Sequence, residues 1–546
     1  MLGGLMAGVL VVLPLWAGPA PAATSSRTSP TSRPVTAARS RSTSPPARAS
    51  DTRPRGAATD RDTTGSAAAS VGSGGAQSID GFGASGAWWP TDVSHFSTAA
   101  QRKLAALLFS RTGLELSQYR YNIGGGGVGV KDRYKAPPTV LTASGAYDWG
   151  ADPAGLAFLK LAAQYHVPQL IGFVNSAPPA FTTNHQSCGG RLDPSKIGAF
   201  AVYLAAVVDH LRAAEHIDLS YVSPMNEPDA SQAACYQEGM VVPVDERAPL
   251  VNALAADLDA GSAHVGVIAD ESSLVSQLLH EAPAWLAQAR KSVAVVAHHG
   301  YDYPGAATLA QVTKLPVKHW TTEICCFNGR GFGWQYDPTM VNGLWLADTI
   351  WADLVEARDS AFDWWVAASP NLGCDPMQVA GCQNQVNPGG RNDGLVYFDP
   401  YWNLDSNQTF YLTKRYWVMA AFSRFVRPGS VLHPVTGLPD GLRGVAFEAH
   451  TGWVVEIING NPDRAYALHL HLPYQAGQAP HAYLTDATHD LAATAVRGTS
   501  LDPWMRSPEQ SLTTLVYGPT ASRIQRTKTR TAQAGPSSRS RNRAST

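Results

Sequence analysis

Two glutamates in the sequence have the residue type and the setting of a catalytic acid and base. Glu227 lies in Asn226-Glu227-Pro228, after the β-rich run Leu219–Met225, and Glu323 follows the run Lys318–Thr322. A protonated carboxyl group beside an ionised one can release a leaving oxygen and attack an anomeric carbon, which is the chemistry of glycosidic bond cleavage. Either glutamate alone is also consistent with an exposed residue at the start of a loop. Together they predict a paired-carboxylate site.

The elements that must position this pair alternate between short β-rich runs and amphipathic helices. The predicted strands are Ile79–Ala84, Leu116–Ile123, Gln169–Val174, Leu219–Met225, Val265–Ala269, Val293–His298, Lys318–Thr322 and Phe362–Ala367. The predicted helices include Thr98–Phe109, Pro153–Tyr165, Lys196–Ala214, Ala248–Ala260, Pro283–Lys291 and Met340–Ala357. Eight such alternations predict an α/β fold, a closed (β/α)8 TIM barrel. The strand ends of such a barrel form one face, where the fourth and seventh strands would bring Glu227 and Glu323 across the mouth.

A doubly wound open sheet is the alternative fold. That fold normally has a glycine-rich phosphate loop after its first strand. Here Gly81-Phe82-Gly83 is followed by Trp88 and Trp89, whose bulky indoles do not suit a phosphate-binding loop. These two tryptophans either line a sugar subsite or are buried between the loop and the barrel.

The chain is predicted to divide into five parts. Residues 76–428 are predicted to form the barrel. In residues 429–520, apolar and polar residues alternate as in an antiparallel β-sandwich, and a strand around Ala69–Ser78 is expected to join this sandwich. Residues 1–23 are apolar with a small-residue cleavage pattern, as in a signal peptide too short to span a membrane, so we expect a secreted, extracellular protein. Residues 24–75 are predicted to be a disordered Ser/Thr/Pro/Arg-rich linker. Residues 521–546 are a basic tail, either solvated or associated with an anionic cell wall.

Composition favours a carbohydrate-handling protein over other classes. The formal net charge is -1, so nothing draws the whole molecule to nucleic acid or to a membrane. The 15 Trp and 19 Tyr offer apolar faces with polar tips, which match the faces and hydroxyl rims of sugars. We expect a polysaccharide or oligosaccharide as partner.

The six cysteines suggest disulfides in an oxidising compartment. Cys188 and Cys235 could bridge two adjacent barrel loops, and Cys374 and Cys382 could close a short loop, but the sequence does not fix the connectivity. The neighbours Cys325 and Cys326 are not expected to pair with each other. No Cys/His cluster has zinc-site spacing, and we expect no metal and no cofactor. His298-His299 fits a metal ligand less well than a hydrogen-bonding partner of the substrate.

Two further features bear on the predicted site. Arg120, at the end of the second strand, is a candidate for the cation that keeps Glu323 ionised, although a surface ion pair is the other interpretation. Gly124 to Gly127 form either a phosphate nest or a tight loop that lets substrate approach the backbone.

An ordered set of motifs resembles glycoside hydrolase family 30. The motifs are Asp80-Gly81-Phe82-Gly83, Arg120-Tyr121-Asn122-Ile123-Gly124-Gly125, Asn175-Ser176 before Pro178-Pro179, Asn226-Glu227-Pro228, His299-Gly300-Tyr301, Trp320-Thr321-Thr322-Glu323 and Phe425-Val426-Arg427-Pro428-Gly429. The resemblance covers about residues 77 to 520. It implies a retaining barrel of clan A with a fused β-sandwich.

The resemblance also implies roles for individual residues. Glu227 would be the acid/base and Glu323 the nucleophile. Arg120, Asn226 and Tyr301 would contact the glycone subsite and the nucleophile. Trp364 would be a stacking platform at the end of the eighth strand.

Within the family, the sequence is most similar to the endo-β-1,6-galactanase branch, through residues 175–183 and Gln237-Glu238-Gly239. It departs from that branch at Ala180, where a bulky aromatic residue is expected. Xylanase, β-1,6-glucanase and glucosylceramidase-like activities therefore stay open. A non-catalytic carbohydrate-binding protein is the alternative of another class, although such a protein would need neither glutamate.

Overall fold

The computed structural model describes residues 64–261, 264–326, 335–449, 452–473, 479–500 and 502–518. The predicted signal peptide, most of the predicted linker and the predicted basic tail lie outside these ranges.

The strands of the described chain fall into a barrel and a sandwich. The first thirteen are β1 (Gly65–Val71), β2 (Gly81–Ser85), β3 (Gln118–Asn122), β4 (Gln169–Phe173), β5 (Gly190–Arg191), β6 (Tyr221–Ser223), β7 (Met240–Val241), β8 (Gly266–Ser272), β9 (Val293–His299), β10 (His319–Glu323), β11 (Ala361–Ser369), β12 (Gly394–Phe398) and β13 (Phe410–Leu412). The remaining strands are β14 (Val431–Thr436), β15 (Leu442–Ala449), β16 (Gly452–Asn459), β17 (Tyr466–His471), β18 (His481–Thr485), β19 (Ala492–Thr494), β20 (Val496–Gly498), β21 (Pro503–Ser507) and β22 (Ser511–Val516).

The helices alternate with the barrel strands. They are α1 (Trp89–Val93), α2 (Thr98–Phe109), α3 (Pro153–Gln164), α4 (Ile197–Glu215), α5 (Val244–Ala260), α6 (Val275–Ala289), α7 (Ala306–Val312), α8 (Met340–Ala352), α9 (Trp402–Asp405) and α10 (Lys414–Phe425). Their starts follow local chemistry: the Ser97 side chain caps α2, and Asp152 caps α3 ahead of Pro153.

The predicted (β/α)8 TIM barrel is confirmed. Strands β2, β3, β4, β6, β8, β9, β10 and β11 pair in this order and in parallel, and the pairing of Thr321 in β10 with Phe362 in β11 closes the cylinder. All five residues of β3 and all nine of β11 are buried, because helices cover the outside and side chains fill the inside. Strand β12 extends β11 in parallel, and β13 pairs antiparallel with β12.

The predicted C-terminal sandwich is also confirmed. Its ten strands pair in the order β19-β18-β22-β16-β15-β14-β1-β17-β21-β20. All pairs are antiparallel except β1 with β17. Residues from both halves, such as Val455 in β16 and Leu468 in β17, share one apolar core. The face of β15 and β16 that carries Val445 and Val454 belongs instead to the apolar cluster of the barrel.

One predicted boundary is wrong. The linker was expected to reach residue 75, but Gly65–Val71 form β1, which pairs with β14 on one side and with β17 on the other. The small residues of this strand have little intrinsic preference for β structure, and pairing on both edges outweighs that. The strand expected around Ala69–Ser78 therefore exists, but it begins earlier.

One helical stretch in the described ranges, Pro194–Glu215, is long and apolar enough to cross a membrane by length and composition. It contains α4, which buries Phe200, Leu204 and Leu211. A core helix of a soluble barrel passes the same test.

Candidate active site

The two glutamates predicted as a pair come together at the carboxyl end of the barrel strands. Glu227 follows β6, and Glu323 is the last residue of β10. Between them lies His299, whose Nδ1 is 3.4 Å from Glu227 Oε1 and 3.7 Å from Glu323 Oε1. These donor atoms all lie within 4.8 Å of one another. The two carboxylates can therefore reach the same reacting centre.

The pair is unequally exposed. The Glu227 side chain is 15% accessible and that of Glu323 only 5%. Gln232 Nε2 donates a long hydrogen bond of 3.5 Å to Glu227 Oε2. The backbone of Glu227 lies in the left-handed region, with φ 45°, a conformation that is costly for a residue with a side chain and that clusters at functional sites.

Glu323 is surrounded by donors. Tyr301 Oη donates to its Oε1 at 2.8 Å, and Arg120 Nη1 lies 3.5 Å from its Oε2. Burial and the neighbouring Glu227 carboxylate nevertheless raise the pKa of Glu323 to about 7, against the lowering effects of His299, Arg120 and Tyr301. These three donors therefore oppose the burial that favours the protonated form of Glu323.

Arg120 is part of the interior of the site. Its guanidinium is fully buried, donates to the Thr322 carbonyl at 2.7 Å and lies over the Phe173 ring at 4.3 Å. The interpretation of Arg120 as a surface ion pair is therefore wrong.

His299 contacts three carboxylates. Besides Glu227 and Glu323 at Nδ1, its Nε2 lies 3.2 Å from Glu271 Oε2. Burial alone would lower the pKa of His299, but Glu323, Glu227 and Glu271 outweigh burial and raise it to about 10. Both ring nitrogens of His299 therefore face carboxylate oxygens, which favours the imidazolium form that donates from both.

Glu271 is a site residue that sequence reasoning missed. It lies in β8, which continues through Ser272, whereas the predicted strand ended at Ala269. Its carboxylate is completely buried between Arg120 and His299. The signal was present, because an acidic residue at the end of the fifth strand belongs to the same face as Glu227 and Glu323.

The stacking role expected of Trp364 is contradicted. Trp364 is fully buried, donates from Nε1 to the Asp393 carbonyl at 2.6 Å and packs edge-on against Trp345. Side chains alternate along a strand. Asp363 points into the barrel, where burial raises its pKa to about 8 despite Arg120, so Trp364 points out towards the helices.

The aromatic side chain on the inner side of β11 is Trp365. Its ring lies 5.0 Å from that of Trp88, edge to face, and Lys135 Nζ lies 4.9 Å from the Trp88 ring. Trp88 is 6% exposed and has φ 69°, so it is mainly packed between its loop and β11. Its buried Nε1 has no hydrogen-bond partner among the described residues.

Three asparagines at strand ends carry unsatisfied groups. Asn226 Oδ1, Asn175 Oδ1 and Asn122 Nδ2 are buried and have no partner in the described parts of the chain. Because a buried amide normally satisfies its hydrogen-bonding groups, such orphans next to two carboxylates fit a site for hydroxyl groups.

The four-glycine loop is not a free anion site. The amides of Gly125 and Gly127 donate to the carboxylate of Glu238, at 3.1 and 2.8 Å. Burial raises the pKa of Glu238 to about 8 although these two donors lower it. An internal side chain thus occupies the nest, and the loop serves to shape the cleft wall.

All six cysteines are paired. Cys188–Cys235 and Cys374–Cys382 are bonded, which are two of the pairings that the sequence left open. Cys325 and Cys326 are also bonded to each other, which corrects the prediction that these neighbours do not pair. The chain turns there, with Cys326 at φ 81°, and both side chains are buried directly after Glu323.

Two groups have the spacing of metal ligands. Glu227, His299 and Glu323 form one, and Asp375, Asp399 and Asp405 form the other. In the first group, the contacts of His299 Nδ1 with Glu227 and Glu323 account for the convergence of the three side chains.

A closed parallel barrel with two carboxylates converging at its catalytic face defines the class of barrel O-glycosyl hydrolases. Residues 70–288 match the model described as O-Glycosyl hydrolase family 30. Over these residues, which include Glu227, the chain is similar to glycoside hydrolase family 30, in agreement with the resemblance of its motifs.

Solved structures agree with this assignment. The catalytic domain of the GH30 xylanase C from Talaromyces cellulolyticus is 25% identical, with a TM-score of 0.64 over 82% of this chain and 99% of that one. A conserved exported protein from Bacteroides fragilis is 22% identical, with a TM-score of 0.69 over 82% and 99%. An endo-β-1,6-glucanase is 16% identical, with a TM-score of 0.63 over 83% and 94%. The last two likenesses concern the fold alone.

Proposed function

We propose that the protein is a retaining β-glycosidase in which Glu227 is the acid/base and Glu323 the nucleophile. The observation that carries this proposal is that a carboxylate oxygen of Glu227, a carboxylate oxygen of Glu323 and a ring nitrogen of His299 all lie within 4.8 Å of one another. Retaining enzymes hold their two carboxyl groups roughly 5–5.5 Å apart, whereas inverting enzymes need about 6.5–9.5 Å to admit a water.

The reaction takes place in two displacements. Glu323 Oε attacks the anomeric carbon while Glu227 gives its proton to the departing glycosidic oxygen, which leaves a covalent glycosyl-enzyme. Glu227 then removes a proton from water, which attacks the same carbon and releases Glu323. Glycosylation removes the negative charge of Glu323, so Glu227 no longer faces an anion and can act as a base in the second step.

The surrounding residues have separate roles in this mechanism. Arg120, His299 and Tyr301 favour the ionised form of Glu323 against the burial that raises its pKa, because each donates towards its carboxylate. Asn226 hydrogen-bonds a sugar hydroxyl through the amide group that is left unpartnered. Trp365, on the inner side of β11, takes the stacking role that cannot belong to Trp364, and Trp88 packs edge-on against it.

We propose endo-cleavage of β-1,6-linked galactan as the activity. This rests on the segment 175–183 and on Gln237-Glu238-Gly239, which are most similar to that branch of the family. A xylanase is the second candidate, and the observation in its favour is the 25% identity to a family 30 xylanase over 82% of this chain.

A substrate screen followed by trapping tests both levels of the proposal. The full chain is incubated with β-1,6-galactan, xylan, β-1,6-glucan and glucosylceramide, and new reducing ends are measured. NMR of the first product should detect the β anomer. Glu323→Ala should lose several orders of magnitude in kcat. Added azide should then give an α-glycosyl azide with Glu323→Ala and a β-glycosyl azide with Glu227→Ala.

The exposed Glu509→Ala serves as a matched control and should behave as the unsubstituted protein. Hydrolysis that survives Glu323→Ala, or an α anomer as first product, would refute the assignment. Release of xylose oligomers with no attack on galactan would replace the first candidate by the second.

We also propose that the protein is secreted. Three disulfides among the described residues fit an oxidising compartment. The apolar N-terminal segment is the expected export signal. The basic residues between 521 and 546 are proposed to hold the enzyme near an anionic cell wall, which salt extraction from intact cells would test.

A further inference from the structure

A third carboxylate lies beneath the pair. Glu271 has no solvent-accessible side-chain surface. Its Oε1 is 3.3 Å from Arg120 Nη2, and its Oε2 is 3.2 Å from His299 Nε2 and accepts from Thr322 Oγ1. No sugar can contact it, since these side chains enclose it.

Each residue that contacts Glu271 also contacts Glu227 or Glu323, or is adjacent to one of them in the chain. Arg120 also contacts Glu323 Oε2. His299 contacts both Glu227 and Glu323 through its other nitrogen. Thr322 is the residue before Glu323.

A backbone hydrogen bond also connects Glu271 with Glu227. The amide of Glu227 donates to the Glu271 carbonyl at 2.9 Å. Both residues have left-handed backbones, at φ 45° and 61°. The conformation that aims Glu227 at the cleft is therefore coupled directly to that of Glu271.

The charges around Glu271 keep it ionised. Burial would raise its pKa, but Arg120, His299 and Thr322 lower it to about 2. The other titratable group facing it is Asp363 on β11, whose pKa burial raises to about 8. One permanent anion thus faces two cations, and both cations also face Glu323.

We propose that Glu271 is a positioning residue that fixes the imidazole of His299 as a doubly donating cation between the acid/base and the nucleophile. This inference rests on the proposed function. With Glu271 in place, His299 Nε2 is anchored and Nδ1 presents its hydrogen to Glu227 and Glu323. With a neutral side chain there, the imidazole loses its anchor, and Arg120 loses one of its two carboxylate partners.

The test is Glu271→Gln, which keeps the shape and removes the charge. Misplacing catalytic groups by small distances can cost about 10²-fold. We expect kcat to fall about 100-fold, while KM stays within about threefold because no substrate contact is removed. In histidine-labelled protein, the NMR titration of His299, assigned by its loss in His299→Gln, should move to lower pH. Glu271→Asp retains the charge and should keep the high His299 titration and recover part of kcat.

Glu456→Gln is the control for replacing a fully buried glutamate away from the site, in β16 of the sandwich. Because burial raises the pKa of Glu456 well above its usual range, this control reports on the Glu-to-Gln exchange itself and not on a lost charge. It should leave kcat and the His299 titration unchanged. A Glu271→Gln protein with normal kcat and an unshifted His299 would overturn the inference. So would a loss of kcat that follows only a fall in Tm, with His299 unshifted. If the unsubstituted protein hydrolyses none of the four substrates, the proposed function fails, yet the titration of His299 still reports on Glu271.

Discussion

The hydroxyl of Tyr301 provides a direct test of how the protein keeps Glu323 ionised. It donates to Glu323 Oε1 at 2.8 Å in a buried setting, and Tyr301→Phe removes only this oxygen. Because the hydrogen bond favours the ionised form, its loss raises the pKa of Glu323. The nucleophile must be ionised, so activity is present above that pKa and lost below it. The acid limb of kcat/KM should therefore move to higher pH.

The size of the shift follows from the geometry. A hydrogen bond to a charged group contributes about 1.5–3 kcal/mol, and one pKa unit corresponds to about 1.36 kcal/mol. Since Glu323 is only 5% exposed, water cannot replace the lost donor easily. Starting from a limb near the pKa of about 7, the variant should shift it upwards by roughly one to two pH units. The limb belongs to the Glu227–Glu323 pair, since each charge affects the other.

The assay is kcat/KM from pH 4 to 9 at constant ionic strength. Well below the limb, the variant should be roughly 10- to 100-fold slower than the unsubstituted protein, and the difference should shrink at high pH. Tyr303→Phe is the matched control, because its hydroxyl donates to the Cys325 carbonyl at 3.1 Å and to neither glutamate. An unmoved acid limb in Tyr301→Phe, or an equal shift in Tyr303→Phe, would refute the reasoning.

Three further outcomes are expected. Arg247→Ala should lower the free energy of unfolding by about 3–5 kcal/mol in urea titrations, because Asp270 and Glu281, each 2.7 Å from Arg247, lose their buried cation. A loss below about 1 kcal/mol would contradict this. Replacing Cys188 and Cys235 by Ser opens a loop of 47 residues and should lower the free energy of unfolding by about 4 kcal/mol. The comparison is the protein with Cys374 and Cys382 replaced by Ser, where the loop is only 8 residues and the loss should be smaller. Trp364→Phe should lower the free energy of unfolding by about 1–3 kcal/mol and leave KM unchanged, since the Asp393 carbonyl loses its donor. Trp365→Ala should instead raise KM. The reverse pattern would return the stacking role to Trp364.

The sequence predicts the barrel well because its signal is repeated eight times. Each apolar run is followed by an amphipathic helix, and Glu227 and Glu323 end two of these runs. Boundaries were missed where charged residues continue a strand. Strand β8 continues through Asp270 and Glu271, which a search for apolar runs leaves out. Only the pairing with β9 reveals that this segment is strand.

The other errors come from information that lies far away in the chain. Whether Trp364 or Trp365 faces inwards depends on the phase of β11, which is set by pairing with β2 and includes a register shift between Trp364 and Val366. Spacing alone argues against a bond between Cys325 and Cys326, and the left-handed turn at Cys326 makes it possible. The contacts of His299 require the folded barrel, since its partners come from β6, β8 and β10.

The first strand of the described chain has a consequence for biosynthesis. Gly65 pairs with Tyr466, so β1 leaves the ribosome long before its partner exists. At about 5–20 residues per second, the intervening chain takes roughly 20 to 80 seconds to make. Its other partner, β14, also follows the barrel in the chain, so β1 has neither partner until the whole barrel has been synthesised. Truncation between residues 428 and 429 would therefore not yield two intact halves, because the N-terminal piece would keep a strand that the C-terminal piece needs.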